Sequence, residues 1–296
     1  MPHAELCVFG EVLFDHFPDG QRVLGGAPFN VAWHLQAFGQ APRFVSRVGR
    51  DPEGEEIRSA MARWGMTQAG LQTDEALPTG RVRVQLEQGQ PSYEIVHPCA
   101  YDAIEADDSV TCGLLYHGSL ALRSGQSRAS LERLRQRSDA EVFLDVNLRA
   151  PWWQAEDLRD WMRAADWIKL NEDELSQLVP SPGGHTDDLS RVIEALELKG
   201  LIVTYGDKGA EMLAASGEHA RVIPEQGAEV VDTVGAGDAF ASVVILGLRQ
   251  GWALQPLLER AQSFASAIVG YRGATVDDEA LYQSFAQRWK LTEREG

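Results

Sequence analysis

The chain has 296 residues, of which 44% are hydrophobic and 24% are charged, and its formal net charge at pH 7 is −17. This length suits one large α/β domain or two small ones, and the apolar content can fill a substantial core. The negative charge argues against nucleic-acid binding, which requires a basic surface, and against docking on anionic membranes.

The sequence also lacks the usual signs of membrane insertion and export. No apolar stretch approaches the roughly 20 residues that a membrane span requires, and we expect no signal peptide. Cys7, Cys99 and Cys112 have no metal-like spacing. We therefore expect reduced thiols in a cytoplasmic protein.

Short apolar runs alternate with helical patterns, which is typical of βαβ units and a parallel sheet. The predicted strands are 6–10, 44–49, 114–118, 142–146, 167–170 and 201–204. The predicted helices lie near 28–38, 53–64, 126–138, 156–165, 172–179, 187–198, 238–250, 254–270 and 278–290. Parallel sheets bind ligands outside the carboxyl ends of their strands, where several polar residues follow these strands.

Two hairpin patterns interrupt this alternation. Residues 80–87 and 91–96 alternate apolar and polar side chains, and a turn at 88–90 joins them. Residues 12–17 and 21–24 resemble a second hairpin. We expect these strands to form a small sheet over the site, where a lid would exclude water. The alternative is that these strands are additions at the edge of the main sheet with no covering role.

The segment 232–240, Asp-Thr-Val-Gly-Ala-Gly-Asp-Ala-Phe, precedes a predicted buried helix. Gly235 and Gly237 allow the backbone to approach a ligand, and the free N–H groups at a helix start attract an anion. Asp238 is unexpected there unless it accepts a proton. A tight turn with an N-cap aspartate stays open as an alternative. A dinucleotide fingerprint is disfavoured because the third glycine is missing.

Further motifs accompany this segment in a characteristic order. They are Gly25-Gly-Ala-Pro-Phe-Asn30, Gly49-Arg-Asp-Pro-Glu-Gly54, Asp145-Val-Asn-Leu-Arg149, Asn171-Glu-Asp-Glu174 and Thr204-Tyr-Gly-Asp-Lys-Gly209. Together they resemble the ribokinase, or PfkB, family of sugar kinases from about residue 5 to about residue 290. The resemblance implies an α/β protein, a three-layer α/β/α sandwich with a mostly parallel central sheet and a small β-sheet lid. It implies one kinase domain over 1–296, with lid strands inserted at about 12–24 and 78–100.

The resemblance also assigns the residues of phosphoryl transfer. Asp238 matches the general base that accepts the proton of the attacking hydroxyl. The amides of Gly235, Ala236 and Gly237 match the anion hole. Asn171 and Glu174 match the motif that positions Mg²⁺, largely through water. The residues matched to ATP are Asn171, Thr204, Gly206, Gly209 and, beside the adenine, Gly273.

On the sugar side, Gly26 and Asn30 match an element that contacts hydroxyls. Asp15 matches an acidic residue that can accept two adjacent hydroxyls, although a turn residue is the alternative. Segments 10–15, 118–123 and 145–153 are similar to bacterial fructokinases, which favours fructose and its conversion to fructose 6-phosphate. Tyr101 and Arg149 are then candidate substrate residues. For Arg149, as for Arg123, a simple ion pair stays open.

Other functions stay open beside the fructokinase hypothesis. A kinase for 2-keto-3-deoxygluconate, ribose or a nucleoside would share the phosphate residues and differ in the sugar pocket and lid. A non-catalytic sugar-binding regulator is less favoured because Asp238 and both glycines are retained. Relatives often bind a monovalent cation such as K⁺ through backbone oxygens, which leave little trace in a sequence. The exposed edge expected for strands 80–87 and 91–96 indicates a homodimer.

Overall fold

The computed structural model describes residues 5–87, 90–178, 186–224 and 230–291. These residues contain a nine-stranded sheet with the order β13-β12-β11-β10-β9-β8-β1-β4-β5. The strands are β1 (Leu6–Phe9), β4 (Arg43–Gly49), β5 (Leu71–Asp74), β8 (Leu114–His117), β9 (Glu141–Asp145), β10 (Trp167–Asn171), β11 (Gly200–Thr204), β12 (Ala210–Ala214) and β13 (His219–Val222). All neighbours are parallel except β11–β12 and β12–β13, which are antiparallel.

Helices cover both faces of this sheet, so the predicted three-layer α/β/α architecture is confirmed. One apolar core lies under α1 (Ala27–Ala37), α2 (Pro52–Arg63), α7 (Ala236–Gln250), α8 (Leu254–Ile268) and α9 (Glu279–Trp289). The other lies under α3 (Gly125–Arg137), α4 (Ala155–Arg163) and α6 (Thr186–Leu196). The short helix α5 (Glu172–Leu178) follows β10 directly.

The sequence predicted each of these helices to within a few residues, but it missed three strands of the large sheet. The strands β5, β12 and β13 lie at or next to the two edges of the sheet. Each is only four or five residues long and lacks a continuous apolar run. A short edge strand buries less apolar surface than a central one, so its sequence pattern is weaker.

The two predicted hairpins form a separate small sheet, which the described residues show with the order β3-β2-β6-β7. Its strands are β2 (Leu13–His16), β3 (Arg22–Gly25), β6 (Gly80–Glu87) and β7 (Gln90–Ile95). Of the predicted turn at 88–90, residues 88 and 89 lie outside the described residues. Glu53 of α2 holds this sheet through Arg81 at 2.6 Å and Arg22 at 3.2 Å.

The cysteines differ from the sequence expectation. Cys7 and Cys112 form a disulfide, so the expectation of three reduced thiols is wrong, and Cys99 is free and buried. Cys7 lies on β1 and Cys112 precedes the adjacent β8, which brings their Cα atoms to 5.8 Å across a sequence separation of 105 residues. Within the described part of the chain, no helix is long and apolar enough to cross a membrane.

Candidate active site

A cavity of about 390 Å³ lies between the small sheet and the carboxyl ends of the large sheet. The small sheet contributes side chains from all four of its strands, which are Leu13, Asp15, Val23, Leu24, Val82 and Ile95. The opposite wall includes Asn30, Arg149, Gly235 and Asp238. The fold therefore places polar groups at the strand ends beneath a sheet that covers them, as the sequence predicted.

Asp238 lies on the first turn of α7, inside this cavity. Asn30 Nδ2 donates a hydrogen bond to Asp238 Oδ2 at 2.7 Å. Burial raises the pKa of Asp238 to about 6 despite the opposing effect of this hydrogen bond; Asp145 raises it further, while Lys169 and Arg149 lower it. A carboxylate with such a pKa is ionised near neutral pH and still basic enough to accept a proton.

The loop before α7 lines the same cavity with Gly235 and Gly237, whereas Ala236 between them is not part of the lining and its N–H donates to Thr233 O at 3.4 Å. Gly235 caps the helix with φ = +82°, in the left-handed region, and a Cβ at this position would overlap the side chain of Ala274. Glycine is therefore required by both the dihedral angle and the space. Asp232 holds the loop, because its carboxylate accepts from Val234 N at 3.0 Å and from Gly273 N at 3.1 Å.

A buried ion pair lies close to this loop. Lys169 Nζ donates to both carboxylate oxygens of Asp145 at 2.9 Å, and both side chains are less than a tenth exposed. A Cβ added to Gly237 would lie 3.6 Å from Lys169 Nζ. Lys169 was not among the residues predicted from the sequence. The signal was a lysine inside the apolar strand 167–170, where a charge requires a partner.

Asn171 and Glu174 form a reciprocal cap at the junction of β10 and α5. Asn171 N donates to Glu174 Oε2 at 2.9 Å, and Glu174 N donates to Asn171 Oδ1 at 2.8 Å. Leu148 N donates to Glu174 Oε1 at 2.7 Å, so this carboxylate joins two strand ends. Burial raises the pKa of Glu174, and these backbone donors oppose the rise.

This geometry tests the fit of a metal at the Asn-x-x-Glu motif. The described residues include no group of three or more His, Cys, Asp or Glu side chains that could hold a metal ion. Asn171 is exposed, and the Glu174 oxygens, although each accepts an N–H bond, keep further lone pairs. The pair fits an ion that is coordinated mainly by phosphates and water, as Mg²⁺ prefers, and does not fit direct coordination by a full set of protein ligands.

The predicted nucleotide loop follows β11. Thr204 ends the strand, and the turn closes through Tyr205 N donating to Gly209 O at 2.8 Å. Gly206 and Gly209 have φ of +60° and +99°. A Cβ at Gly209 would overlap the backbone of Val222, which requires glycine at this position. Gly273 has φ = +76°, and its N–H donates to Asp232 Oδ2 at 3.1 Å.

The predicted sugar residues converge from the small sheet and α1. Asp15 on β2 lines the cavity, and burial raises its pKa to about 6, with Arg149 opposing and Asp232 adding to the rise. Gly26, with φ = +109°, lies so close to Glu11 that a Cβ would be 2.8 Å from the Glu11 carbonyl oxygen. Asn30 Oδ1 is buried and has no hydrogen-bond partner among the described residues. This acceptor therefore lacks the donor that a buried polar atom normally has.

Of the remaining candidates for the substrate side, Arg149 lines the cavity, whereas Arg123 and Tyr101 do not. Arg149 is exposed and lines the cavity. Arg123 instead makes a bidentate ion pair with Asp102 at 2.7 and 2.8 Å, and its guanidinium lies 4.9 Å from the Tyr101 ring. Tyr101 is fully buried, and the described cavity lining does not include it. Its assignment to the substrate stays a prediction.

Comparison with known proteins identifies the class of protein to which this site belongs. Residues 5–281 match the model of the pfkB family carbohydrate kinases. The chain belongs to the pfkB family of carbohydrate kinases. It is 32% identical to a fructokinase from Klebsiella pneumoniae over 296 aligned positions, which cover 92% of this chain and 95% of that protein.

Solved structures agree with this membership. A fructokinase from Xylella fastidiosa with bound ATP matches with a TM-score of 0.85 and 21% identity, over 97% of this chain and 99% of that one. A fructokinase from Vibrio cholerae O395, in a form with fructose, ADP and calcium ion bound, matches with a TM-score of 0.79 and 24% identity, over 95% and 98%. At these identities the likeness shows the ribokinase-like fold.

Proposed function

We propose that this protein is an ATP-dependent fructokinase that converts fructose to fructose 6-phosphate. The observation that carries the proposal is Asp238, a carboxylate that lies in the covered cavity at the start of α7 and accepts from Asn30 at 2.7 Å. The Klebsiella pneumoniae and Vibrio cholerae fructokinases support fructose as the sugar.

In the proposed reaction, the hydroxyl of the sugar attacks the γ-phosphorus of ATP. Asp238 accepts the hydroxyl proton, and Asn30 orients the carboxylate through the hydrogen bond to Oδ2. The amides of Gly235, Ala236 and Gly237 lie at the helix start and stabilise negative charge on the transferred phosphoryl group. The small sheet keeps water from competing with the sugar as acceptor.

We expect the nucleotide beside the loop that precedes α7, on the side away from the sugar. The loop at 204–209 binds its phosphates through backbone groups of Thr204, Gly206 and Gly209, and Gly273 borders the adenine. The adenine base would cover exposed apolar side chains near the 204–209 loop, such as Ile223 at 70% exposure. When bound, Mg²⁺ neutralises phosphate charge during transfer, with Asn171 and Glu174 orienting its water ligands. A monovalent cation such as K⁺ near the anion hole is a further expectation.

The test is a coupled ATP-consumption assay across a sugar panel. The panel contains fructose, 2-keto-3-deoxygluconate, ribose and a nucleoside, and identification of the phosphorylated product gives the position of transfer. We expect turnover with fructose to exceed that with the others. Turnover with another sugar and none with fructose would reject the fructokinase assignment. Sugar binding without turnover of any sugar would favour the regulator instead.

Assembly and location belong to the same proposal. The edge strand β7 carries Tyr93, which is 61% exposed, and we expect a second copy of the chain to cover this edge. Light scattering at working concentration checks the expected homodimer, and a monomer mass rejects it. The ATP requirement leads us to place the protein in the cytoplasm, with no nucleic-acid or membrane partner.

A further inference from the structure

Glu11 has no role predicted from the sequence, yet it belongs to the cavity wall. Glu11 follows β1 and is only 3% exposed, yet it lines the cavity together with Asp15, Asn30 and Asp238. Its Oε2 atom is buried and has no hydrogen-bond partner among the described residues. A buried carboxylate oxygen without a partner is unfavourable, because desolvation is not compensated.

Among the described residues, the other fully buried carboxylate side chains all have partners, and one partly exposed residue, Asp188, also has a buried oxygen without a partner, although its other oxygen pairs with Arg191. Asp145 pairs with Lys169, Asp102 with Arg123, Asp74 with Arg47 and Glu53 with Arg81. Both oxygens of Glu174 accept from backbone N–H groups. No ion pair joins Glu11 to a described residue, which distinguishes it from this set. The fold thus compensates these five acids and leaves Glu11, which lines the cavity, without an ion pair.

The backbone around Glu11 holds the side chain in this position. A Cβ at Gly26 would lie 2.8 Å from the Glu11 carbonyl oxygen, and a Cβ at Gly10 would lie 2.5 Å from Pro28 Cγ. The segment is therefore packed tightly between two glycines and the start of α1. Such packing limits movement of Glu11 away from the cavity when no ligand is bound.

Resting on the proposed function, we propose that Glu11 is an additional sugar-binding residue, whose Oε2 accepts a hydrogen bond from a hydroxyl of the sugar. A hydroxyl supplies the missing donor, and a carboxylate–hydroxyl bond is stronger than one between neutral groups. Asp238 accepts the proton of the reacting hydroxyl, so Glu11 accepts a hydrogen bond from a different hydroxyl of the sugar. Glu11 thereby contributes to sugar selection, since a sugar that lacks this hydroxyl leaves the buried oxygen unpaired.

The charged surroundings of Glu11 make this contact depend on pH. Burial raises the pKa of Glu11 to about 7; a hydrogen bond from its own backbone amide lowers it, and so do Arg149 and Arg123, while Asp238 raises it. Tyr101, whose pKa is raised by burial, also faces this group. Only the ionised carboxylate is a pure acceptor, so sugar binding is expected to strengthen as pH rises through about 7.

The test compares E11Q with D74N, using whichever sugar of the panel the wild-type enzyme phosphorylates best. For E11Q we expect KM for the sugar to rise about 10- to 100-fold above pH 8, with kcat at saturation little changed. The inflection near pH 7 in the sugar KM should disappear. D74N removes a buried carboxylate that does not line the cavity, and it should leave KM and its pH profile unchanged.

Thermal unfolding distinguishes the two variants further. E11Q removes an uncompensated buried acid, so its Tm at pH 8 should rise, whereas D74N breaks a pair with Arg47 and should lower Tm. Singly deoxygenated analogues of the sugar then locate the contact. For one analogue, E11Q and wild type should have equal kcat/KM, because the partner of Glu11 is already absent.

Two outcomes would overturn the inference. The first is an E11Q enzyme with wild-type KM and an unchanged pH profile. The second is that E11Q lowers kcat/KM by the same factor for the sugar and for every deoxygenated analogue, as expected for a purely structural role. The proposed fructokinase activity is judged on the wild-type panel alone, so either proposal can fail while the other stands.

Discussion

Asn30 Nδ2 donates a hydrogen bond to Asp238 Oδ2 at 2.7 Å across a sequence separation of 208 residues. The bond joins the first turn of α1, which follows the small sheet, to the first turn of α7, which follows the anion-binding loop. One hydrogen bond therefore links the proposed sugar side of the cavity to the proposed phosphate side. It also orients the Asp238 carboxylate, while Asn30 Oδ1 is buried without a hydrogen-bond partner among the described residues.

Replacing Asp238 tests its role as the base. D238N preserves shape and removes basicity, so we expect turnover to fall about 10²–10⁴-fold. Nucleotide affinity, measured by calorimetry, should change little because the amides of the loop are retained. Asp108, an exposed acid that does not line the cavity, provides the control, and D108N should keep wild-type turnover. Near-normal turnover by D238N would remove Asp238 from the catalytic step.

The pH dependence of activity and of stability should have opposite signs at Asp238. Since burial raises its pKa to about 6, kcat/KM should fall as pH drops through about 6, where the base becomes protonated. Folding raises this pKa from 3.8, so the folded state binds the proton more readily than the unfolded chain between the two values. Its contribution to stability is therefore lost as pH rises through that window.

D238N separates these two effects. The variant has no carboxylate to desolvate, so its Tm at pH 8 should exceed that of the wild type, while the activity inflection near pH 6 disappears. Calorimetric Tm values at pH 5 and pH 8 check the sign. A variant that is less stable than the wild type at pH 8 would contradict the interpretation.

The buried pair of Lys169 and Asp145 predicts a large loss of stability when one partner is removed. K169M leaves Asp145 buried without compensation, so the free energy of unfolding should fall by about 3–5 kcal/mol. The double variant K169M/D145L should recover most of this loss. Urea denaturation measures both. The exposed pair of Arg133 and Asp108 gives the comparison, since R133M should change stability by less than about 1 kcal/mol.

Gly235 and Gly20 offer a matched test of the loop. Their φ angles are +82° and +85°, but a Cβ at Gly235 would overlap Ala274, whereas Gly20 has no atom within 4 Å of that position. The left-handed backbone should cost each alanine variant about 1–2 kcal/mol of stability. G235A should lose more than G20A, because its Cβ also overlaps Ala274. Only G235A should displace the anion-binding amides and lower kcat/KM by at least about 10²-fold. Equal activity in steady-state assays of the two variants would argue against a catalytic role for the loop.

Much of the fold could be predicted because its signals are local. The apolar run 142–146 and the helical pattern 126–138 correspond to β9 and α3 with shifts of a residue or two. The hairpin patterns indicated the small sheet, because apolar and polar residues alternate along a strand that buries only one face. The strand β12 was missed, since Ala210–Ala214 is short and interrupted by Glu211.

The candidate site was predictable where a backbone constraint or motif leaves a mark. Gly235, Gly26 and Gly209 carry such marks, because their positions exclude a side chain. Arg123 could not be assigned from sequence, since an arginine after a strand can face a ligand or a carboxylate. Its pair with Asp102 at 2.7 Å depends on a packing contact between two separate turns.

The sequence by itself determined the layered α/β architecture, the order of its motifs and the family to which the chain belongs. These properties depend on periodicity and on residue types at fixed spacing, which act within a few turns of chain. Only the tertiary structure decided that Asn30 contacts Asp238, that Cys7 meets Cys112 and that Glu11 is left unpaired in the cavity wall. Burial and partners arise when distant segments pack together, so no local pattern specifies them.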